Sequence, residues 1–477
     1  MTEQTGNDKA LGRLQKLFDC SSFMEIGKDI RHRCTDFGMD QRIVPGDGVV
    51  SGYGTINGRM VFAYAQNEDV MGGSLGEAHA SKICRAMDMA AACGAPIVAL
   101  SVSSGARIQE GVSALSGYGA IFQRNTRYSG KILQISCILG PCAGGAVYSS
   151  ALADFVVMAA DHGRMFITGP EVARTVLGEV ITAEDLGGAT AHSTKSGCAH
   201  FIGKDENECL KLIRSLLDYY FNRLPSSFSL PRKNRASRAE WQSLLPENDR
   251  KPYDIRRVIR MISDDSAWME YMEGFAKNMI AGFIRLGGRT IGVVGNQPLY
   301  MAGCIDIAAS DKAARFIRTC DAHGIPLLSC VDVPGFIPGS RQEHNGIIRH
   351  GAKMLYAWSE AEVPHVTLIL RKAYGGAYIA MGSRELGADA VIAWPQAKVA
   401  VMGAESAARI LFRKEQPAEQ ARKTEEYVRL FSGPEVAAQR GFIDKVIMPE
   451  DTRTTLLRLF AMLGSKSVQS HHGNIPL

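Results

Sequence analysis

Two stretches of this chain hold residues arranged for chemistry, and in neither is it the chemistry of a side chain. The first is Gly140-Pro141-Cys142-Ala143-Gly144-Gly145-Ala146-Val147-Tyr148, reached from an uncharged run, Ile132 to Leu139. The second is Arg371-Lys372-Ala373-Tyr374-Gly375-Gly376-Ala377-Tyr378, reached from the β-type run Val363 to Leu370. Each reads as a strand that ends in paired glycines and turns into a helix. That leaves backbone N–H groups free at the helix start, where negative charge is stabilised. Such a corner is an oxyanion hole, suited to a carbonyl oxygen that gains charge in a transition state. A lone Gly-Gly corner is weak support, because glycine also marks turns and close helix-on-sheet packing.

The register between the halves strengthens it. Gly58-Arg59 recurs as Gly288-Arg289, Gly73 as Gly303, Lys82 as Lys312, Arg85 as Arg315 and Gly94-x-Pro96 as Gly324-x-Pro326, with 288 − 58 = 324 − 94 = 230. The glycine corners follow at 375 − 144 = 231, and Gly169-Pro170-Glu171 faces Gly403-Ala404-Glu405 at 403 − 169 = 234. This period is far too long for a solenoid and predicts one α/β unit duplicated once, each copy carrying one turn with free donors. The polar, proline-containing stretch Leu224 to Arg235 reads as the linker, so the domains are expected at 1–235 and 236–477.

The elements that must position the corners are legible in outline. Leu11 to Phe18 has apolar residues at helical spacing; Val49 to Ala65 reads as two strands around the Asn57-Gly58 turn; a helix is predicted over Ala78 to Ala92 and a buried strand over Pro96 to Ser101. Ile132 to Ala153 is uncharged and long enough to raise a membrane span, but Gln134, Gly140-Pro141, Gly144-Gly145 and Ser149-Ser150 favour a buried strand, turn and helix.

Composition narrows the class. At 477 residues, with 46% hydrophobic and 22% charged residues, the chain reads as a two-domain globular protein. Its net charge of +5 is small and its cations are dispersed, so no nucleic-acid site is expected. Eleven cysteines without a C-x-x-C pair argue against a zinc ribbon or a secreted disulfide scaffold, and Cys137 and Cys142 read as small buried hydrophobes. The polar N-terminus lacks the apolar core of a signal peptide, and a cytoplasmic enzyme is expected.

The chain resembles a known family: the carboxyltransferase subunits of biotin-dependent acyl-CoA carboxylases, in the group of propionyl-CoA carboxylase β-chains and methylmalonyl-CoA decarboxylase α-subunits. The likeness runs through His32-Arg33-Cys34-Thr35-Asp36-Phe37-Gly38, Gly72-Gly73-Ser74-Leu75-Gly76-Glu77, Gly105-Ala106-Arg107-Ile108-Gln109-Glu110-Gly111 and the first corner. It continues through Phe166 to Pro170, Gly295 to Pro298, Asp332-Val333-Pro334-Gly335-Phe336, the second corner and His472 to Leu477. The resemblance implies two duplicated crotonase-like (ClpP/crotonase) domains. In the first, acyl-CoA would lie along Gly105 and Ala106, with Gly144 and Gly145 polarising the thioester carbonyl. In the second, Gly375, Gly376, Ala377 and Ile379 would form the carboxybiotin side, with the amides of Gly376 and Ala377 aimed at the ureido oxygen. Freed biotin would take the α-proton, so no side-chain base and no metal are implied.

The resemblance also implies partners. Family members pair the first domain of one subunit with the second of its neighbour, commonly in a hexamer. Carboxybiotin would arrive on a separate biotinylated carrier with a biotin carboxylase, since no Met-Lys-Met biotinyl motif occurs here. The alternative is the reverse half-reaction from methylmalonyl-CoA, with membrane decarboxylase subunits as partners and a location peripheral to the inner membrane. Propionyl-CoA is the expected substrate, with acetyl-CoA as a second candidate.

Three departures stand out. Val102-Ser103-Ser104-Gly105 replaces the family's Asp-Ser-Gly-Gly, the N-terminal extension is short, and Ile379 stands where some propionyl enzymes have Asp. The first motivates a further alternative, a catalytically weak subunit retained for assembly. A crotonase-type hydratase would need glutamates between Ala143 and Ser150, where none stands, and a serine hydrolase acting through Ser149 or Ser104 has no G-x-S-x-G elbow around either serine.

Overall fold

The computed structural model of the protein describes residues 8–41, 44–223, 237–431, 433–466 and 472–476. The chain forms two compact units, Met1–Phe221 with His471–Pro476, and Asn222–Ser470. The expected linker, 224–235, and the expected boundary between 235 and 236 lie outside the described residues. The second unit has already begun at Asn222: the carbonyls of Asn222 and Arg223 accept hydrogen bonds from Thr290 N (3.0 Å) and Arg289 Nε (3.1 Å). The C-terminal tail returns to the first unit, where Asn474 N donates to Ser129 Oγ at 2.7 Å and Asn474 Nδ2 to Asp154 Oδ1 at 3.1 Å.

The first unit holds strands β1 (Met24–Glu25), β2 (Val49–Ile56), β3 (Arg59–Gln66), β4 (Ile97–Ser103), β5 (Gln134–Ala143), β6 (Phe155–Ala159), β7 (Arg164–Phe166) and β8 (Phe201–Gly203). They form one eight-stranded sheet in the order β1-β2-β3-β4-β5-β6-β8, with β7 paired to β5. The second unit holds β9 (Trp268–Tyr271), β10 (Met279–Leu286), β11 (Arg289–Asn296), β12 (Leu327–Val333), β13 (His365–Tyr374), β14 (Ala390–Ala393), β15 (Lys398–Ala400) and β16 (Lys445–Val446). Its order is the same, β9-β10-β11-β12-β13-β14-β16, with β15 paired to β13. In each sheet the first two pairings are antiparallel and the rest parallel. The 230-residue register in the sequence is thus a duplicated topology.

Local chemistry accounts for these elements. Asn57 and Gly58 take positive φ values of 51° and 71°, as a two-residue hairpin turn between β2 and β3 requires. Asp19 holds that turn, accepting from the amides of Asn57 (3.2 Å) and Gly58 (3.0 Å); Asp264 does the same for Gly287 (3.1 Å) and Gly288 (2.8 Å). β4 and β12 are almost continuously buried, as strands within a parallel sheet are when both faces are covered, which explains Ile97-Val98-Ala99-Leu100 and Leu327-Leu328-Ser329-Cys330. Parallel neighbours need crossovers, and helices Glu77–Ala92, Val112–Tyr128 and Gly145–Ala151 supply them between β3, β4, β5 and β6. Each unit has its own core: Phe62, Ile83, Ile97, Tyr118, Ile138 and Met158 belong to one, and Trp241, Ile259, Leu328, Leu368, Trp394 and Phe460 to the other. Each such side chain contributes about 1.5–3 kcal/mol when fully buried.

The long strands β5 and β13 change neighbours partway along. β5 pairs with β6 over Ile135–Ile138 and with β7 over Pro141–Ala143; β13 pairs with β14 over Val366–Ile369 and with β15 over Lys372–Tyr374. Their register against β4 and β12 also shifts, between Ser101 and Ser103 and between Val331 and Val333. Each strand therefore exchanges one neighbour before it ends while keeping β4 or β12 on its other side, and both glycine corners stand at those ends. The uncharged segment Ile132 to Ala153 is a strand, turn and helix, and no described helix is long and apolar enough to cross a membrane.

Candidate active site

At the first corner Gly144 closes β5 with φ 59° and ψ −127°, which only glycine adopts without strain, and helix Gly145–Ala151 follows. The amide of Gly144 donates to the carbonyls of Phe166 (3.3 Å) and Ile167 (3.1 Å), fastening the turn to β7 and the residue after it. The donors that helix geometry leaves over are the amides of Gly145 and Ala146, in the first turn. A Cβ on Gly145 would stand 2.6–2.7 Å from ring carbons of Tyr118, so only glycine fits beneath that ring.

Gly105 and Ala106, expected on the acyl-CoA side, are brought to this corner. Ser103 pairs in register with Cys142, and the side of Gly105 where a Cβ would stand faces the Ala143 carbonyl, 3.4 Å away. The amide of Gly105 donates to Ser103 Oγ at 3.2 Å, its carbonyl accepts from Leu75 N at 2.9 Å, and Ala106 bridges to Leu75. Beyond them Arg107 is wholly buried. Its Nη1 donates to Asp47 Oδ1 (2.6 Å) and Glu110 Oε1 (2.7 Å), and its Nη2 to Ser74 O (3.1 Å). Asp47 Oδ2 also accepts the amide of His79 at 2.8 Å. Burial pushes the Asp47 carboxyl up from its ordinary value, against the pull of Arg107. A buried charge is tolerable only when paired and hydrogen-bonded, so this network locks the loop that carries Gly105 and Ala106.

The departure at 102–104 has a local account. Val102 is buried with its methyl groups against Gly140, where a Cβ would be 2.9 Å from Val102 Cγ1. Ser104 keeps an ordinary negative φ, so its backbone does not require glycine, and its amide donates to Gly72 O at 2.9 Å.

At the second corner Gly375 has φ 57° and opens helix Gly375–Ala380, so Gly376 and Ala377 fall in the first turn. Ala377 is buried, Gly376 is exposed with nothing within 4 Å of its would-be Cβ, and Ile379 is 45% exposed. The strand before the corner is gripped by a buried ion pair: Arg371 Nε donates to Asp332 Oδ2 at 2.9 Å, and the amide of Lys372 to Asp332 Oδ1 at 3.1 Å. The Arg371 guanidinium also lies over the ring of Tyr253, 5.0 Å from its centroid. At the matching positions of the first unit, 332 − 102 = 230 and 371 − 140 = 231, stand Val102 and Gly140.

No nucleophile of the usual kinds is set at the first corner. Burial pushes the Cys142 thiol up to about 12 and that of Cys137 well above its ordinary value, so both stay protonated. Ser149 Oγ donates to Asn125 Oδ1 at 3.0 Å, not to a histidine. Among the described residues no group of three or more His, Cys, Asp and Glu side chains is placed to hold a metal ion. What the two corners offer is backbone donors. The buried partners of the first one, Asp47, Ser103 and Tyr118, had no signal in the sequence, because Asp47 meets Arg107 across 107 − 47 = 60 residues.

Comparison with known proteins decides the family: the profile of the carboxyl transferase domain matches residues 2–475. The chain belongs to the carboxyl transferase family. Methylmalonyl-CoA decarboxylase subunit alpha of Propionigenium modestum is 52% identical to this carboxyltransferase over 489 residues, 99% of this chain and 94% of that protein. The propionyl-CoA carboxylase beta chain of Roseobacter denitrificans is 50% identical over 480 residues, again 99% of this chain and 94% of that protein. A crystal structure of transcarboxylase 12S, described as a hexamer with methylmalonyl-coenzyme A and methylmalonic acid bound, matches with a TM-score of 0.93 at 49% identity. The match covers 98% of this chain and 92% of that one. The expected fold, two duplicated crotonase-like α/β domains, is therefore that of this carboxyltransferase.

Proposed function

We propose that this carboxyltransferase moves a carboxyl group between biotin on a separate carrier protein and the α-carbon of a short-chain acyl-CoA, with propionyl-CoA and methylmalonyl-CoA as the pair. The observation that carries this is the repetition of one donor corner, with φ of 59° at Gly144 and 57° at Gly375, in two units of one chain. One reaction with two carbonyl oxygens that gain charge needs two such corners. The first-turn amide of Gly145 holds the thioester oxygen, Gly144 shapes the turn, and Gly105 and Ala106 line the approach. The amides of Gly376 and Ala377 hold the ureido oxygen, Gly375 shapes that turn, and exposed Ile379 adds an apolar wall. Bound biotin supplies the carboxyl acceptor or donor and the base for the α-proton. The chain then has only to place the reactants and stabilise charge with donors fixed in advance.

The names of the relatives and the methylmalonyl-CoA held by the 12S structure support the substrate class. By the same analogy the working form is a hexamer served by a biotin carboxylase and a biotin carrier. Under the reverse direction membrane decarboxylase subunits replace the carboxylase; the relative named for that activity, at 52% identity, keeps this direction as the second one. A purely structural subunit is disfavoured by the intact first corner, since Gly105 still faces Ala143 and Ser104 needs no glycine.

The test uses purified full chain, methylmalonyl-CoA and free biotin. Slow release of propionyl-CoA that depends on biotin is expected, and no turnover above background defeats the proposal. Gly376→Pro removes one donor at a position where an added Cβ would meet nothing within 4 Å. It is expected to lower transfer by about 100-fold or more, near 3 kcal/mol of barrier; a folded variant with normal transfer removes Gly376 from this role.

A further inference from the structure

We infer that Tyr118 is a positioning residue of the first corner, its ring holding the start of helix Gly145–Ala151 in place and its hydroxyl tying that corner to Gly105 and Ala106. This rests on the role proposed above for the corner. Helix Val112–Tyr128 approaches helix Glu77–Ala92 so closely at Gly117 that a Cβ there would stand 2.6 Å from Ala80 Cβ. That approach sets the next residue, Tyr118, over Gly145, its ring carbons 2.6–2.7 Å from where a Cβ would be. One turn further on, Phe122 packs against Tyr118 with centroids 5.8 Å apart and edge-on against Tyr148 of the corner helix at 6.3 Å. Two rings, Tyr118 and Phe122, therefore brace the short helix at two positions, Gly145 and Tyr148.

The hydroxyl end of Tyr118 does a second job. It lies 3.4 Å from Ser103 Oγ, and Ser103 Oγ accepts the amide of Gly105 at 3.2 Å. Burial keeps the phenol protonated, with its ionisation pushed up to about 12, so the hydroxyl stays a neutral hydrogen-bonding group. One buried side chain thus touches the oxyanion turn with its face and the acyl-CoA strip, through Ser103, with its tip. The second corner has no equivalent, since Gly376 meets nothing within 4 Å. The two ends of the side chain predict separable defects. Donors lower a barrier only when held in place beforehand, so losing the ring lowers kcat. Losing only the hydroxyl leaves the turn intact and loosens the strip, so KM rises.

The experiment measures carboxyl transfer from methylmalonyl-CoA to free biotin by the full chain. Tyr118→Phe is expected to raise KM for methylmalonyl-CoA by about 3–10-fold, the worth of one hydrogen bond, with kcat within about 2-fold. Tyr118→Leu is expected to lower kcat by about 100-fold, and neither variant should change KM for biotin. A mere loss of folded protein lowers kcat and moves no KM, so the split separates positioning from folding. A Tyr118→Phe enzyme with wild-type KM for methylmalonyl-CoA, or a folded Tyr118→Leu enzyme with wild-type kcat, overturns the role; if Tyr118→Leu does not fold, Tyr118→Phe decides alone. If the wild-type chain transfers nothing, the corner's proposed function fails and the role of Tyr118 with it. If wild type transfers and Tyr118→Phe matches it, only the role of Tyr118 fails.

Discussion

A methyl group added to Gly145 would strike a tyrosine ring, whereas the same methyl on Gly376 would meet nothing. The two corners share strand order, the change of neighbours along β5 and β13, and the φ of the turning glycine, yet their surroundings differ throughout. The first corner is closed over by Tyr118 and flanked by a buried charge network built on Arg107. The second is open above Gly376 and is steadied from below by Asp332 and Arg371. Duplication kept what the backbone needs in order to present amides. It let go of the side chains that decide what fits on top of them.

The largest effect that would break this contrast lies in the charge network. Arg107→Met leaves Asp47 and Glu110 buried without their cation, and a loss of about 3–5 kcal/mol in denaturant unfolding is expected. The position 230 residues on is Ile337, since 337 − 107 = 230, and it is only half-buried. Ile337→Met should therefore change stability by less than about 1.5 kcal/mol. Equal losses at the two positions would erase the asymmetry.

The next effect has opposite signs in the two halves. Gly145→Ala forces a methyl into the Tyr118 ring and is expected to destabilise by about 1–3 kcal/mol, the usual range for overpacking. Gly376→Ala adds a methyl in open space at a helix start and is expected to be neutral or to stabilise by up to about 1 kcal/mol. Urea unfolding of both variants checks the signs, and destabilisation by Gly376→Ala would show that its surroundings are not open.

The smallest effect sharpens the comparison through the paired lysines. Lys82 Nζ is buried and donates to the carbonyls of Gly46 (3.1 Å) and Val49 (2.5 Å); Lys312 Nζ donates to those of Met272 and Phe275, both at 2.9 Å. Burial lowers Lys82 from 10.5 to about 8 and Lys312 from 10.5 to about 7. Above those values the folded chain has released a proton that the unfolded chain still holds, so stability rises with pH until 10.5. The rise begins near pH 7 for Lys312 and near pH 8 for Lys82. Each contributes at most about 1.4 kcal/mol per pH unit. Lys312→Met should remove more of the rise between pH 7 and 8 than Lys82→Met does; identical slopes in both variants would contradict the ordering.

Much of this is legible in the amino-acid sequence alone. The constant offset between the halves, the strand-to-helix turns at paired glycines and the Asn57-Gly58 hairpin are local or periodic features, carried by residues whose backbone preferences do not depend on distant neighbours. The duplicated α/β fold followed from them. The domain boundary was less legible: the chain joins its second unit at Asn222, ahead of the proline-containing stretch, and residues 472–476 return to the first. Neither event has a local signature, because each depends on hydrogen bonds to residues far along the chain.

The amino-acid sequence by itself determined that two equivalent backbone corners exist and which glycines turn them. Only the tertiary structure decided that Gly144 spends its amide on β7, that Gly105 lies against Ala143, that Asp47 reaches Arg107 and that Tyr118 covers Gly145. The physical reason is range. A turn is dictated by the φ preferences of adjacent residues, but a roof and a buried ion pair arise where crossovers bring remote segments into contact, and no spacing along the chain encodes which remote segment will arrive.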